Sequence, residues 1–196
     1  MSETVATGLP GVSMTVGDHI CAFYRGDLAR DAVLVPYVEA GLDEGDRCLC
    51  VLDGSQPEEL ASIADGGRSG LTLLQSDDTY LASGCFSPDD MLSFWYERAR
   101  RAFDDEGCAF LRAVGEMTWA LRDLPGVDLL VMYEAELNRF LPKFPQTILC
   151  LYDLERFTDG EVLIDILRTH PKVLMSGMLV DNPWFIEPDQ FLARLS

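Results

Sequence analysis

DHICAFYRGDLARDAVLVPYVEAGLDEGDRCLCVLD, residues 18–53, is the stretch whose reading decides the fold. Residues 19–24 are a short apolar and aromatic run of buried-strand length. Leu28, Ala32, Val35 and Leu42 then recur at helical spacing with charges between them, and Gly41 and Gly45 stop that helix. Residues 48–52 are wholly apolar, as a parallel strand covered on both faces must be. The unit is therefore βαβ. In many nucleotide-binding proteins the first loop of such a unit cradles phosphate. Here that loop is Arg25-Gly26-Asp27, with one glycine, an acid and no Gly-Lys-Ser/Thr. The layout of a nucleotide-binding core is present without its phosphate chemistry.

Outward from this unit, strands and helices keep alternating. Residues 1–17 are small, polar and glycine-containing and read as a flexible N-terminal arm, with 18–196 as a single domain. A short helix opens at Pro57 and ends at Gly66-Gly67, and residues 71–74 form a third strand. Ser87-Pro88-Asp89-Asp90 starts a helix: a serine cap, proline in the first turn, and acids that suit the dipole. Residues 108–114 form a strand interrupted by Arg112 that runs into Gly115-Glu116-Met117-Thr118-Trp119. A helix over 127–141 follows, then a buried strand over 147–152 ending in Asp153. A helix over 161–169 stops at His170-Pro171, two short strands flank Ser176-Gly177, and a helix over 188–195 closes the chain. The class is α/β: a three-layer sandwich with a mostly parallel central sheet. Ligands in such sheets lie at the carboxyl ends of the strands, where Tyr24, Asp53, Glu116 and Asp153 collect.

The formal net charge of -18 excludes nucleic-acid binding and anionic membrane surfaces for this chain alone. The six cysteines include no Cys-x-x-Cys pair, and most sit in apolar runs, as reduced core cysteines of a cytoplasmic protein do. Residues 1–17 lack the basic start and apolar run of a signal peptide, and no apolar segment approaches ~20 residues.

Covalent catalysis finds little support. There is no Gly-x-Ser-x-Gly elbow, and the two histidines, His19 and His170, have no spacing that builds a triad. His19, Cys21, Cys150 and His170 carry metal-ligating atoms, but only His19 and Cys21 share a strand face, so satisfied core residues are the expectation. Arg112 inside a strand must be paired, either with a structural acid or with a polar ligand. On the helix at 127–141, Leu130, Leu137 and Leu141 set the buried arc, and Glu134 and Asn138 fall inside it by phase. Two accounts fit them: a structural network with Arg112 or His170, or a small polar cavity shared with Glu116, Trp119 and Tyr133.

The chain resembles the MEDS family, the methanogen/methylotroph, DcmR-type sensory domain. The matching segments are Asp18-His19-Ile20-Cys21 with Tyr24, residues 41–48, Gly115 to Leu121, Tyr133-Glu134 with Asn138, Cys150-x-Tyr152-Asp153, Phe157, Thr169-His170-Pro171 and Asn182-Pro183. The resemblance implies a sensory domain related to the RecA-like ATPase core but lacking its phosphate loop. It implies a small-molecule ligand, with simple hydrocarbon derivatives proposed, and an output through DNA-binding, kinase or anti-sigma-type segments. No such segment is recognisable here, so signalling is expected through a regulatory protein partner, such as a kinase or anti-sigma-type factor, or through a homo-oligomer. The expected ligand-binding set is His19, Tyr24, Arg112, Glu116, Trp119, Tyr133, Glu134, Asn138, Asp153 and His170, with a pocket at the carboxyl edge of the sheet built partly from the helix over 127–141. No catalytic residue, metal or cofactor is expected. The competing readings are a divergent RecA-like nucleotide-binding enzyme and an interaction scaffold with an empty pocket.

Overall fold

The computed structural model describes residues 4–195. Two short strands, β1 (Thr4–Val5) and β2 (Met14–Thr15), pair antiparallel. The βαβ unit follows as β3 (His19–Tyr24), α1 (Gly26–Glu44) and β4 (Arg47–Leu52). Then come α2 (Glu58–Asp65), β5 (Leu71–Gln75), α3 (Pro88–Arg100), β6 (Leu111–Glu116), α4 (Leu130–Phe140) and β7 (Gln146–Asp153). The chain finishes with α5 (Gly160–Thr169), a hairpin of β8 (Lys172–Met175) and β9 (Met178–Asp181), and α6 (Pro188–Leu192).

The central sheet has seven strands in the order β5-β4-β6-β7-β3-β8-β9, parallel except for the last pair. The chain leaves β3 for β4, three places away, and returns through β6 and β7 to fill the gap. Cys21 of β3 lies opposite Cys150 of β7 and Val173 of β8. Because side chains alternate across a sheet, each strand feeds two cores. His19 and Cys21 face one layer with Cys150, Tyr152 and helices α3, α4 and α5, while Ile20, Ala22 and Tyr24 face the layer that holds α1.

Two expectations need correction. Residues 1–3 of the supposed arm lie outside the described residues, but 4–17 pack on the core. Met14 is fully buried with Val5 and Val12, the Thr15 amide donates to Asp18 Oδ2 at 2.8 Å, and Gly17 N–H donates to Gln146 O at 2.8 Å. The apolar residues are few and spaced by glycine, so the sequence window reads as polar although each one finds a slot. The buried stripe of α1 is also rotated: Leu28 is 89% exposed, and Arg30, Leu34, Tyr37, Val38, Gly41 and Leu42 face inward. Gly41 belongs to the helix interior because Arg112 passes beside it. A Cβ there would sit 2.5 Å from Arg112 Nε. The helix ends at Gly45, in the left-handed region at φ 83°.

Candidate functional site

One set of polar side chains is sealed between the sheet and helices α4 and α5. His19 opens β3, Cys150 sits in the middle of β7, Glu134 projects from α4, and His170 caps α5; all four are fully buried. Their ligating atoms all lie within 4.8 Å of one another. Glu134 Oε2 is 3.2 Å from His19 Nε2 and 3.3 Å from His170 Nε2. Cys150 Sγ is 3.4 Å from the same Oε2 and 3.5 Å from His19 Nε2. The other oxygen, Oε1, accepts from the Tyr152 hydroxyl at 2.5 Å, which fixes the rotation of the carboxylate.

Hydrogen bonding assigns the imidazole tautomers. Asn138 Nδ2 donates to the carbonyls of Glu134 and Thr169 at 3.1 and 2.8 Å, so its Oδ1 faces His19 Nδ1 at 3.1 Å. An amide oxygen only accepts, so His19 Nδ1 carries hydrogen. His170 Nδ1 lies 2.7 Å from the Ile166 carbonyl and carries hydrogen for the same reason. Both Nε2 atoms therefore aim toward one carboxylate oxygen. His170 Nε2 lies outside hydrogen-bonding geometry and has no hydrogen-bond partner.

Charge in this interior follows from burial. Burial pushes the Glu134 carboxyl up, but His170 and then His19 overcome this and hold it well below the usual carboxylate range. Burial and the neighbouring His170 hold His19 below its usual value, against the pull of Glu134. Burial, reinforced by Glu134, raises the Cys150 thiol well above its ordinary range.

A second polar network lies on the other face of the sheet, at the carboxyl ends of the strands. Glu116, ending β6, accepts from the Tyr24 hydroxyl at 2.7 Å, from Arg30 at 3.3 Å and from the Asp53 amide at 2.9 Å. Burial raises its carboxyl above the usual range, with these donors pulling the other way. Asp53 is engaged by Ser76, Thr118 and Arg122. Asp153 Oδ1 accepts from the Gly26 and Glu155 amides at 3.3 and 2.9 Å.

The expected ligand-binding residues are thus divided between two sites. His19, Glu134, Asn138 and His170 come together, with Trp119 and Tyr133 in the same layer: Trp119 stacks on Tyr80 at 4.5 Å, and Tyr133 accepts from Trp95 at 2.7 Å. Tyr24, Glu116 and Asp153 lie across the sheet, because residues of one strand that differ by an odd number face opposite ways. Arg112 joins neither group. It is the second residue of β6, near the opposite end from Glu116, and is spent on Asp46 and on the carbonyls of Ala6 and Tyr37 at 2.8, 2.6 and 3.0 Å. The structure also groups His19, His170 and Cys150, which the sequence left apart, and puts Glu134 where Cys21 had been considered. Arg30 escaped the sequence reading, and Tyr152 entered it only within a matching segment, without a site role. Arg30 is the lone cation on an otherwise apolar helix face, and Tyr152 shares the Cys150 face two residues on.

Comparison with known proteins places this geometry. A KaiC-like protein from the hyperthermophilic archaeon Pyrococcus horikoshii OT3 superposes with a TM-score of 0.62 at 13% identity, covering 89% of this chain and 81% of that one. The fold is therefore RecA-like. The loop after β3 has one glycine and none of the Gly-Lys-Ser/Thr run that cradles phosphate. The Gly26 amide, which would face phosphate, is turned to Asp153. The chain has only two lysines, of which Lys172 pairs with Asp18 and Lys143 lies over Tyr96. The transcriptional repressor DcmR of Methylorubrum extorquens is 29% identical over 183 residues, which is 87% of this chain. The chain spans 64% of that relative's length. The model of the MEthanogen/methylotroph, DcmR Sensory domain matches residues 18–171, a span that runs from one residue before His19 to one after His170. The chain belongs to the MEDS family of sensory domains.

Proposed function

We propose that this chain is a non-enzymatic sensory domain that binds a small molecule and passes its state to a regulatory protein partner, of the kinase or anti-sigma type, or to a second copy of itself. The observation that carries this reading is the filled phosphate position. The Gly26 amide is turned to Asp153, and Arg30 and the Asp53 amide are turned to Glu116, so these donors already have carboxylate acceptors where a phosphate would need them. Family membership supports the sensory role, and the repressor relative supports a place in transcription regulation. A charge of -18 directs that regulation away from direct DNA contact by this chain. The ligand class that suits the layer is a simple hydrocarbon derivative. Tyr80, Phe86, Trp119 and Tyr133 form an aromatic wall, within which Tyr80 OH and Trp119 Nε1 are buried without hydrogen-bond partners.

The test pairs two measurements on the purified chain. Small alcohols, ketones and halogenated methanes are screened by thermal shift, and Mg-ATP is offered in a phosphate-release assay. A saturable rise in melting temperature with one hydrocarbon class, and no phosphate release, is expected. Phosphate release that disappears in Glu116→Gln would replace the sensory reading with a nucleotide-cleaving one.

A further inference from the structure

We propose that His19, Glu134, Cys150 and His170 form a four-coordinate transition-metal site of the zinc class. The site deepens the sensory reading by giving its buried layer a ligand, and the tests below separate the two.

Three features of the cluster point to a metal ion. The first is spacing. With metal–nitrogen and metal–oxygen bonds of about 2.0–2.1 Å and a metal–sulfur bond of about 2.3 Å, tetrahedral edges are roughly 3.3 Å between N and O and roughly 3.6 Å to S. Four of the six observed edges are close to these, 3.2 and 3.3 Å from Glu134 Oε2 to the two imidazoles and 3.4 and 3.5 Å from Cys150 Sγ to Oε2 and His19 Nε2, and all six lie within 4.8 Å. The second is direction. Each histidine donates Nδ1–H to a carbonyl-type oxygen, Asn138 Oδ1 for His19 and the Ile166 carbonyl for His170. That outer bond is the usual support of a metal-ligating imidazole, because it fixes the tautomer and aims Nε2 at the ion. Likewise, Tyr152 holds Glu134 Oε1 and frees Oε2 for a single ligand bond.

The third is the unmet bonding of the interior. His170 Nε2 is buried and has no hydrogen-bond partner. With both rings neutral, two nitrogen lone pairs would face a carboxylate oxygen, and the single thiol hydrogen of Cys150 would be the one donor among them. A divalent cation is what three converging lone pairs and a thiol lack. Its charge also balances. The ion takes the place of the Cys150 proton, which leaves to solvent as the metal–sulfur bond forms. Two positive charges then meet one carboxylate and one thiolate, so a neutral centre is buried. Two imidazoles with one thiolate and one carboxylate suit zinc, with ferrous iron as the nearest competitor. Asn138, the support of His19, lines an outer cleft of about 440 Å³ with Gly17, Pro171 and Phe185.

The test uses the full, untagged chain, stripped with chelator and titrated with cobalt(II) and zinc(II) under reducing conditions. One cobalt per chain is expected, with the strong visible bands of four-coordinate cobalt and a thiolate-to-cobalt charge-transfer band, both erased by one equivalent of zinc. Cys150→Ser keeps the packing, so it should stay folded and lose the charge-transfer band. Asn138→Ala leaves all four ligands in place and should weaken affinity about 10- to 100-fold with the visible bands retained. Circular dichroism identifies any variant that fails to fold, and the Asn138 variant then decides. No tight cobalt uptake by the folded wild-type chain overturns the proposal. So does a charge-transfer band that survives Cys150→Ser, since one of the other five cysteines would then be the ligand. The hydrocarbon thermal-shift screen, repeated on metal-free protein, reports on the sensory reading by itself.

Discussion

Replacing Arg112 with methionine should destabilise the fold without touching the sensory layer. The guanidinium is 1% exposed and its partner Asp46 is 12% exposed. It also donates to two backbone carbonyls, Ala6 and Tyr37, and lies 4.9 Å above the Tyr37 ring. Through these contacts one side chain ties the N-terminal ribbon, α1 and the α1–β4 turn to the start of strand β6. Arg112→Met keeps most of the stem volume, so cavity formation is a small part of the effect. Breaking a buried ion pair costs about 3–5 kcal/mol, and each carbonyl left without its donor adds roughly 1 kcal/mol. Residual hydration of Asp46 softens the first figure, and a loss of about 4 kcal/mol results. Urea unfolding followed by circular dichroism reads it directly. The double variant Arg112→Met/Asp46→Asn should recover part of the loss, because the stranded carboxylate is then gone. Gly41→Ala approaches the same clamp from the helix side. Alanine in a helix interior normally gains about 1 kcal/mol over glycine, yet here its Cβ would meet Arg112 Nε at 2.5 Å and Cys48 Sγ at 2.9 Å, so a loss is expected. If Arg112→Met stays within about 1 kcal/mol of wild type, or if it abolishes cobalt uptake, Arg112 is not the clamp described here.

Other substitutions probe the remaining parts of the structure. Deleting residues 1–13 uncovers Met14 and removes Val5 and Val12 from the core. The shortened chain should bind a hydrophobic dye and unfold at lower urea, and an unchanged midpoint would show that the ribbon is dispensable. Gly126→Ala places a Cβ 2.0 Å from the Phe86 carbonyl at φ 86°. It should destabilise by about 2 kcal/mol or more in thermal melts, and a neutral result would mean that this loop relaxes freely. Glu116 carries a raised carboxyl, so the folded state binds its proton more tightly than the unfolded state does. Stability from this group is present at low pH and falls as pH rises above its ordinary value of about 4.5. Relative to Glu116→Gln, wild type should therefore lose stability across that window in urea titrations at stepped pH. A relative gain would reverse the assignment. Duplex DNA at physiological salt should show no mobility shift with this chain, and a salt-dependent shift would contradict the charge argument.

The fold was legible because hydrophobic runs and glycines mark strands and helix ends locally. CLCVL and TILCLY declare buried strands, and Ser87 does accept from the Asp90 amide as a cap should. Helical phase likewise placed Glu134 inside, and it is fully buried. What sequence could not give was which face of the sheet each residue shares with residues far away in the chain. His19 and Tyr24 differ by five positions in one strand, so they face opposite layers. Glu116 and Glu134 look equivalent as acids near apolar runs, yet one meets Arg30 and the other meets two histidines. That outcome depends on the strand order, in which β7 inserts between β6 and β3. The α1 stripe failed for a related reason. Arg30 looks solvent-facing by type, but its guanidinium reaches Glu116 across the edge of the sheet and turns the helix toward it.

The strand order also bears on how a buried site could report to the outside. His19 and His170 are 151 positions apart in the chain, and they belong to β3 and to the end of α5, which leads into β8, the parallel neighbour of β3. Glu134 brings in α4 and Cys150 brings in β7, so four elements converge on one point. A ligand shared by all four stabilises the arrangement by more than any pair could, because it removes freedom from every element at once. The element most directly affected is the α5–β8 junction. The His170 carbonyl accepts from Asn182 at 2.7 Å, and Asn182 follows the edge strand β9, whose Met178 and Val180 are 66% and 52% exposed. Loading the cluster should therefore slow amide exchange at residues 169–182 more than in β4 and β5, on the far side of the sheet. Hydrogen-exchange mass spectrometry of stripped and zinc-loaded protein measures this. Uniform protection across the sheet would mean that the cluster only stabilises the fold, whereas protection concentrated along β8 and β9 connects the buried site to an exposed edge.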